Sequence, residues 1–244
     1  MSTRRTLATA HRVLTQLRHD PRTIGLMLVV PCVLVGLLAW IYTGTSTFDH
    51  IGAPLLGIFP FVVMFLVTSV ATLRERTSGT LERLLTMPLG KLDLLLGYAL
   101  AFGAVAVVQA ALVSALSLTV FGLDVAGPTW MLVLVALADA LLGTALGLFV
   151  SAFAATEFQA VQFMPAFVFP QLLLCGLFVA RDQMATALQW VADALPLTYA
   201  YDALDRVTTD GSLGGRGTLD VVVLCGAIGL ALALGAATLR RRTA

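Results

Sequence analysis

A chain of 244 residues that is 59% hydrophobic and only 12% charged holds about half the charge of an ordinary soluble domain, which carries about 25%. With a mean hydropathy of +0.93, most of its side chains must meet lipid, which excludes a water-soluble globule. The net charge of +1 is uninformative in itself; where the charges sit is what matters, and no nucleic-acid partner is expected.

Residues 1–22 read as an amphipathic interface helix. At 100° per residue Leu7, Ala10, Val13, Leu14 and Leu17 share one face, Arg4, Arg5, His11, Arg12 and Arg18 gather on the other, and Asp20-Pro21 ends the pattern. Such a helix lies in the headgroup layer. The segment has no apolar h-region, so no cleavable signal peptide is expected. Residues 23–244 then read as one transmembrane domain. Apolar runs long enough to span predict helices over about 24–42, 52–73, 94–120, 129–154, 158–180 and 221–239. The third run continues uncharged to Leu123 and is taken as one helix rather than two broken at Gly103. Cys32, Cys175 and Cys225 fall inside these runs at no ligand spacing and read as small hydrophobes, so no metal site is expected.

Charge is concentrated between the second and third runs. There Thr77 or Ser78 can cap a helix, Leu81, Leu84 and Leu85 follow at i, i+3, i+4 spacing, and Pro88 stops it. The result is a short helix over about 75–88 whose apolar ridge, flanked by Glu82 and Arg83, needs a partner. In the fourth run Asp139 is the one formal charge. Near the midplane an ionised Asp costs on the order of 2.5–3.5 kcal/mol. Either it is protonated or hydrogen-bonded to a neighbour such as Gln109 or Ser114 on the third span, as structural glue, or it faces a central pathway. In the fourth span Gly143-x-x-x-Gly147 permits close helix approach and marks a candidate dimer face. Between Arg181 and Asp220, Met184, Leu188 and Val191 repeat at helical spacing, Trp190 and Tyr199 suit an interface, and Pro196 breaks the segment.

Six spans put both termini on one side. Arg4, Arg5, Arg12, Arg18, Arg22, Arg74, Arg76, Arg83, Lys91, Arg240, Arg241 and Arg242 then share that side, leaving only Arg181, Arg206 and Arg216 of the 15 basic residues elsewhere. The positive-inside rule makes that side cytoplasmic. Arg in place of Lys and the absence of Asn suggest a GC-rich coding sequence, and a multi-pass location in a bacterial cell membrane is expected.

The stretch RERTSGTLERLLTMPLGKLDLLLGYAL resembles the signature of the ATP-binding cassette type-2 permease family, E-R-x-x-G-T-L-E-x-L-L-x-x-P followed by an acidic residue. Glu75, Arg76, Gly79, Thr80, Leu81, Glu82, Leu84, Leu85, Pro88 and Asp93 match, while Tyr98 stands where Lys is common. ALPLTYAYDALDRV is similar to the family's segment before the last span. The resemblance implies an all-α, type V exporter-like membrane protein with six spans, an interface helix, a cytoplasmic coupling helix and a re-entrant external helical hairpin that includes Trp190, Pro196 and Tyr199. It implies that Leu81, Leu84 and Leu85 dock on a separate ATPase subunit, with Arg76, Glu82 and Arg83 setting orientation, and that a second permease copy completes the pathway, a homodimer being simpler than a heterodimer.

The chain has no G-x-x-x-x-G-K-[ST] loop: Gly90-Lys91 is preceded five residues earlier by Leu85 and followed by Leu92. ATP and Mg therefore belong to the partner, and no cofactor or catalytic residue is expected here. The family's drug and antibiotic-resistance exporters point to a hydrophobic small molecule or lipid-like cargo. Polysaccharide or teichoic-acid export is the alternative, with few aromatics for sugars to stack on. A membrane enzyme would need carboxylates clustered on one side, whereas Asp202-x-x-Asp205 stands apart from the scattered His11, His19 and His50. A carrier or channel is a further reading, without visible inverted repeats. The topology is testable: a reporter fused after Arg242 should behave as cytoplasmic and one inserted near Asp210 as external, and the reverse pattern would refute the orientation.

Overall fold

A computed structural model describes residues 2–44, 47–78 and 90–238. Among these are nine α-helices: α1 (Thr3–Arg18), α2 (Pro21–Ile41), α3 (Thr47–Thr77), α4 (Lys91–Thr119), α5 (Thr129–Val150), α6 (Glu157–Leu174), α7 (Thr186–Ala194), α8 (Pro196–Thr209) and α9 (Gly214–Thr238), with one 3₁₀ turn at Arg181–Gln183. Five of them, α2, α3, α4, α5 and α9, are long and apolar enough to cross a membrane. The fold is all-helical over the described residues, and α4 is unbroken, as expected.

The structure moves several expected boundaries. The run over 158–180 is helical only to Leu174. Gly176 sits at φ +115 with Tyr201 against it, so that an added Cβ would lie 2.9 Å from the tyrosine ring. This is backbone that only glycine enters readily, and it ends the helix. α6 falls outside those five, carrying Gln159, Gln162 and Gln171 beside Pro165 and Pro170. At the other extreme α3 runs on to Thr77, so Glu75 and Arg76 form its last turn rather than the start of a separate helix. Thr77 donates its hydroxyl to the Leu73 and Arg74 carbonyls and Ser78 donates to Glu75. Both hydroxyls bond back onto the last turn of α3. The rest of the expected coupling helix, Gly79 to Pro88, lies outside the described residues.

The bundle is assembled on α3 and α5. Phe61, Phe65, Ile58 and Met64 of α3 and Leu142 and Leu148 of α5 are fully buried. Their backbones touch: a Cβ on Gly143 would overlap the Phe61 carbonyl oxygen, and one on Gly147 would stand 2.5 Å from that of Phe65. The Thr68 hydroxyl, bonded to the Met64 carbonyl at 2.6 Å, also reaches Thr144 across the seam. Small residues drive helix pairing in lipid because they allow close van der Waals contact where the hydrophobic effect gives nothing. The Gly143-x-x-x-Gly147 pair expected at a dimer face is therefore spent inside the protomer.

Around this pair, α4 packs on α5, α6 on α3, and α9 on α5, while α8 lies across both α3 and α5. α1 rests on α4, where Gly97 admits Thr9 so closely that a Cβ there would lie 2.5 Å from it. α2 is the least embedded span. Only Met27, Pro31 and Val35 are buried on it.

Gly143→Val should force α3 and α5 apart at backbone contact, at a cost of about 1–3 kcal/mol or more. A lowered thermal midpoint in detergent is expected. Gly226→Val, on α9 where an added Cβ meets nothing within 4 Å, should leave it unchanged.

Candidate functional site

Three successive residues close α3, and at 100° per residue they must point three ways. Arg74 pairs with Glu157 at the start of α6, Nε to Oε1 at 2.8 Å and Nη2 to Oε2 at 3.0 Å. Glu75 accepts two bonds from Arg12 of α1, at 3.0 and 3.1 Å. Arg76 donates to the Ser151 carbonyl just beyond α5. The Arg74 pair is half-exposed and by itself worth little. The Arg12–Glu75 fork is better sheltered and bidentate, the stronger geometry.

Tyr98, the departure from the family pattern, belongs to this fork. Its hydroxyl oxygen accepts from Arg12 at 2.9 Å, and the guanidinium carbon lies 5.7 Å from the ring centroid, within cation–π range. Asp93, at the motif's acidic position, accepts from the Ser2 backbone N–H at 3.0 Å. The motif's charges thus bind α1 to the ends of α3 and α4. Glu75 and Arg76, expected at an interface with another protein, face partners within the chain.

Beside this root lies a 350 Å³ cavity bounded by α1, α2, α3, α4 and α6. Gln16, Asp20, Thr23, Arg74 and Glu75 form its polar rim, and Leu26, Leu66, Val67, Val70, Phe102 and Val161 its apolar wall. Leu66 to Glu75 is about 13 Å of helix, comparable with a medium acyl chain. Asp20 caps α2, accepting from the Thr23 N–H at 3.2 Å and hydroxyl at 2.6 Å, and these bonds hold its carboxyl below the usual range.

Asp139 and Gln109 do not meet. Asp139 is wholly buried and neither carboxyl oxygen has a hydrogen-bond partner. It packs against Gly57 of α3, where an added Cβ would lie 2.7 Å from both its Oδ2 and Leu204 of α8. Gln109 instead donates its amide to the Met27 carbonyl of α2, and the Ser114 hydroxyl is unpaired. The expected bond from Asp139 to Gln109 or Ser114 is absent.

At the opposite end Arg181 bridges Asp193 of α7 at 3.1 Å and Asp202 of α8 at 2.5 Å. Arg206 lies 3.6 Å from Asp220. Pro196 opens α8, where its missing N–H costs nothing. The next N–H, of Leu197, reaches the Gln171 side-chain oxygen of α6 at 3.4 Å. Tyr199 donates to the Asp193 carbonyl at 2.6 Å, which ties the corner between α7 and α8. Trp190 is 73% exposed on α7. Sequence reasoning missed Arg12, Tyr98 and Gln171 as organising residues; Gln in an apolar run was the visible signal for the last.

Span-length apolar helices about a tight α3–α5 pair, with an amphipathic helix clamped to a charged root, are the architecture of a multi-pass membrane protein. The chain belongs to the ABC-2 type transporter family, whose sequence profile matches residues 4–207. It is 23% identical over 163 residues to ABC transporter G family member 20 of Dictyostelium discoideum, covering 67% of this chain and 22% of that one. It is 27% identical over 153 residues to the probable multidrug ABC transporter permease YbhR of Escherichia coli K12, covering 63% and 42%. With the linearmycin resistance permease protein LnrN of Bacillus subtilis it shares 26% over 167 residues, covering 68% and 42%. The chain spans less than half the length of each of these relatives.

Burial raises the Asp202 carboxyl to about 6 against the opposing pull of Arg181. A raised carboxyl contributes stability that is full below its unfolded value near 4 and is lost as pH rises through about 6. The thermal midpoint should therefore fall between pH 4 and pH 7 in part because of this group, and Asp202→Asn should flatten that slope. An unchanged slope would show that Asp202 titrates normally.

Proposed function

We propose that this chain is the transmembrane permease subunit of an ATP-driven exporter that moves a hydrophobic small molecule, drug or lipid-like compound out of the cytoplasm or inner leaflet. A separate ATPase subunit binds ATP and Mg and supplies the work. The observation that carries this reading is the root of the charged loop. Arg74, Glu75 and Arg76 join the end of α3 to α6, α1 and the end of α5, so any force applied to residues 79–89 is delivered to four helices together.

In this reading α6 crosses as a sixth span, residues 1–22 lie at the cytoplasmic interface, residues 23–244 form the transmembrane domain, and both ends face the cytoplasm of a bacterium. The ridge of Leu81, Leu84 and Leu85 docks on the ATPase, held between Gly79-Thr80 and Pro88. Because Glu75 and Arg76 are engaged within the chain, orientation falls to Glu82 and Arg83. The α7–α8 hairpin, with Trp190, Pro196 and Tyr199, re-enters the membrane from outside; the Gln171 bond to its buried corner supports that placement. A second copy of the chain completes the pathway. The Gly143 seam is occupied within the protomer, and the exposed apolar face of α2, with Val29, Val33, Leu37 and Trp40, is one candidate contact beside the exposed apolar faces of α4, α6 and α9.

The cavity supports an amphiphilic cargo: an apolar wall beneath a polar rim accommodates a hydrocarbon with a polar head. The bacterial relatives, a probable multidrug permease and a linearmycin resistance permease, agree in kind. Asp139 lies between α3, α5 and α8, away from that cavity, which favours a structural role over contact with cargo.

Replacing Leu84 and Leu85 with Asp should abolish co-purification with the ATPase and reduce export to background, with normal membrane insertion, since buried apolar anchors carry most docking energy. Wild-type co-purification together with wild-type export would overturn the assignment.

A further inference from the structure

Proline at position 31 has no N–H, so the carbonyl four residues earlier, that of Met27, loses its helical partner. Met27 is fully buried, where no water can replace the missing bond, and an unpaired carbonyl in such a place is expensive. Gln109 of α4 supplies the donor from 82 positions along the chain. It is itself fully buried and its amide oxygen has no other partner, so this bond is the one polar contact the side chain makes.

The position of that bond divides α2. Above it Gly36 is seated against Phe121, where an added Cβ would lie 2.7 Å from the ring. Below it Thr23 and Leu26 border the cavity. Met27, Pro31 and Val35 are the helix's only buried residues, so a single polar bond at a proline secures a helix that is otherwise lightly packed. Proline-freed carbonyls are where helices bend.

We propose that α2 is a two-armed lever hinged at Met27–Pro31, that Gln109 is the positioning residue that pins the hinge, and that the lower arm, residues 21–27, is the movable wall of the cavity. Only the significance of that motion for amphiphile access rests on the export reading; the hinge does not.

The test is a double-mutant cycle read by hydrogen–deuterium exchange on the purified full chain in detergent, without ATPase or cargo. Gln109→Leu should speed exchange in peptides covering residues 21–31 by about tenfold or more, the scale set by one unsatisfied buried carbonyl, and leave residues 36–41 near wild type. Pro31→Ala restores an N–H that the Met27 carbonyl can accept, so Pro31→Ala/Gln109→Leu should return the lower arm to within about twofold of Pro31→Ala alone. An equal increase in both backgrounds would make Gln109 a packing residue and overturn the proposal, as would no change in Gln109→Leu or an even increase along all of α2. If Gln109→Leu does not fold, recovery of folded protein in the double variant supports the pin, and failure of both overturns it. Loss of ATPase docking or export with this exchange pattern intact would count against the export reading alone.

Discussion

The contact on which the rest of the structure depends is backbone against backbone: the Gly143 and Gly147 positions of α5 lying on the Phe61 and Phe65 carbonyls of α3. In lipid there is little to gain from hiding one apolar surface against another, so shape decides which helices associate. Two helices that approach this closely set the spacing for α4, α6, α8 and α9, each of which packs on one or both of them. The Phe61 and Phe65 side chains are themselves fully buried.

The polar residues complete what the seam begins. α1 has an apolar face, with Val13 and Leu17 buried, but its register comes from Arg12, which finds Glu75 and Tyr98 together. α8 needs acceptors for an N-terminus placed away from water, and Gln171 provides one. α2 needs a donor for the carbonyl its proline frees, and Gln109 provides it. In each case a single polar side chain answers a vacancy in backbone hydrogen bonding or charge, and the element is located by that answer as much as by its apolar stripe.

These answers explain what can be read from the sequence and what cannot. Long apolar runs reveal α2, α3, α4, α5 and α9 because lipid imposes length and hydropathy locally, residue by residue. The run that holds α6 reads longer than the helix itself, because the helix end depends on Tyr201 pressing on Gly176, a contact between residues far apart in the chain. Gly143 and Gly147 are recognisable as a site of close approach, yet spacing alone does not say whose backbone approaches, and the partner is α3. Asp139 and Gln109 invite pairing with each other as polar groups of neighbouring spans; the unmet need created by Pro31 is the better guide to Gln109. The charged motif is legible as a unit, but its Glu75 and Arg76 read as outward-facing because a sequence cannot show which charges are already matched within the fold.

A helix end held on three sides has lost one kind of freedom. Because Arg74, Glu75 and Arg76 leave α3 roughly 100° apart and each is tied to a different element, turning the last turn of α3 about its own axis would stretch all three ties at once. Sliding along the axis, or tilting with α1 and α6 in company, strains them far less. The end of α3 therefore behaves as a keyed shaft: it resists torque and carries thrust. A push delivered there travels lengthwise along a helix that bears Pro60 and Pro54 farther on, where the missing N–H groups make the rod most easily bent.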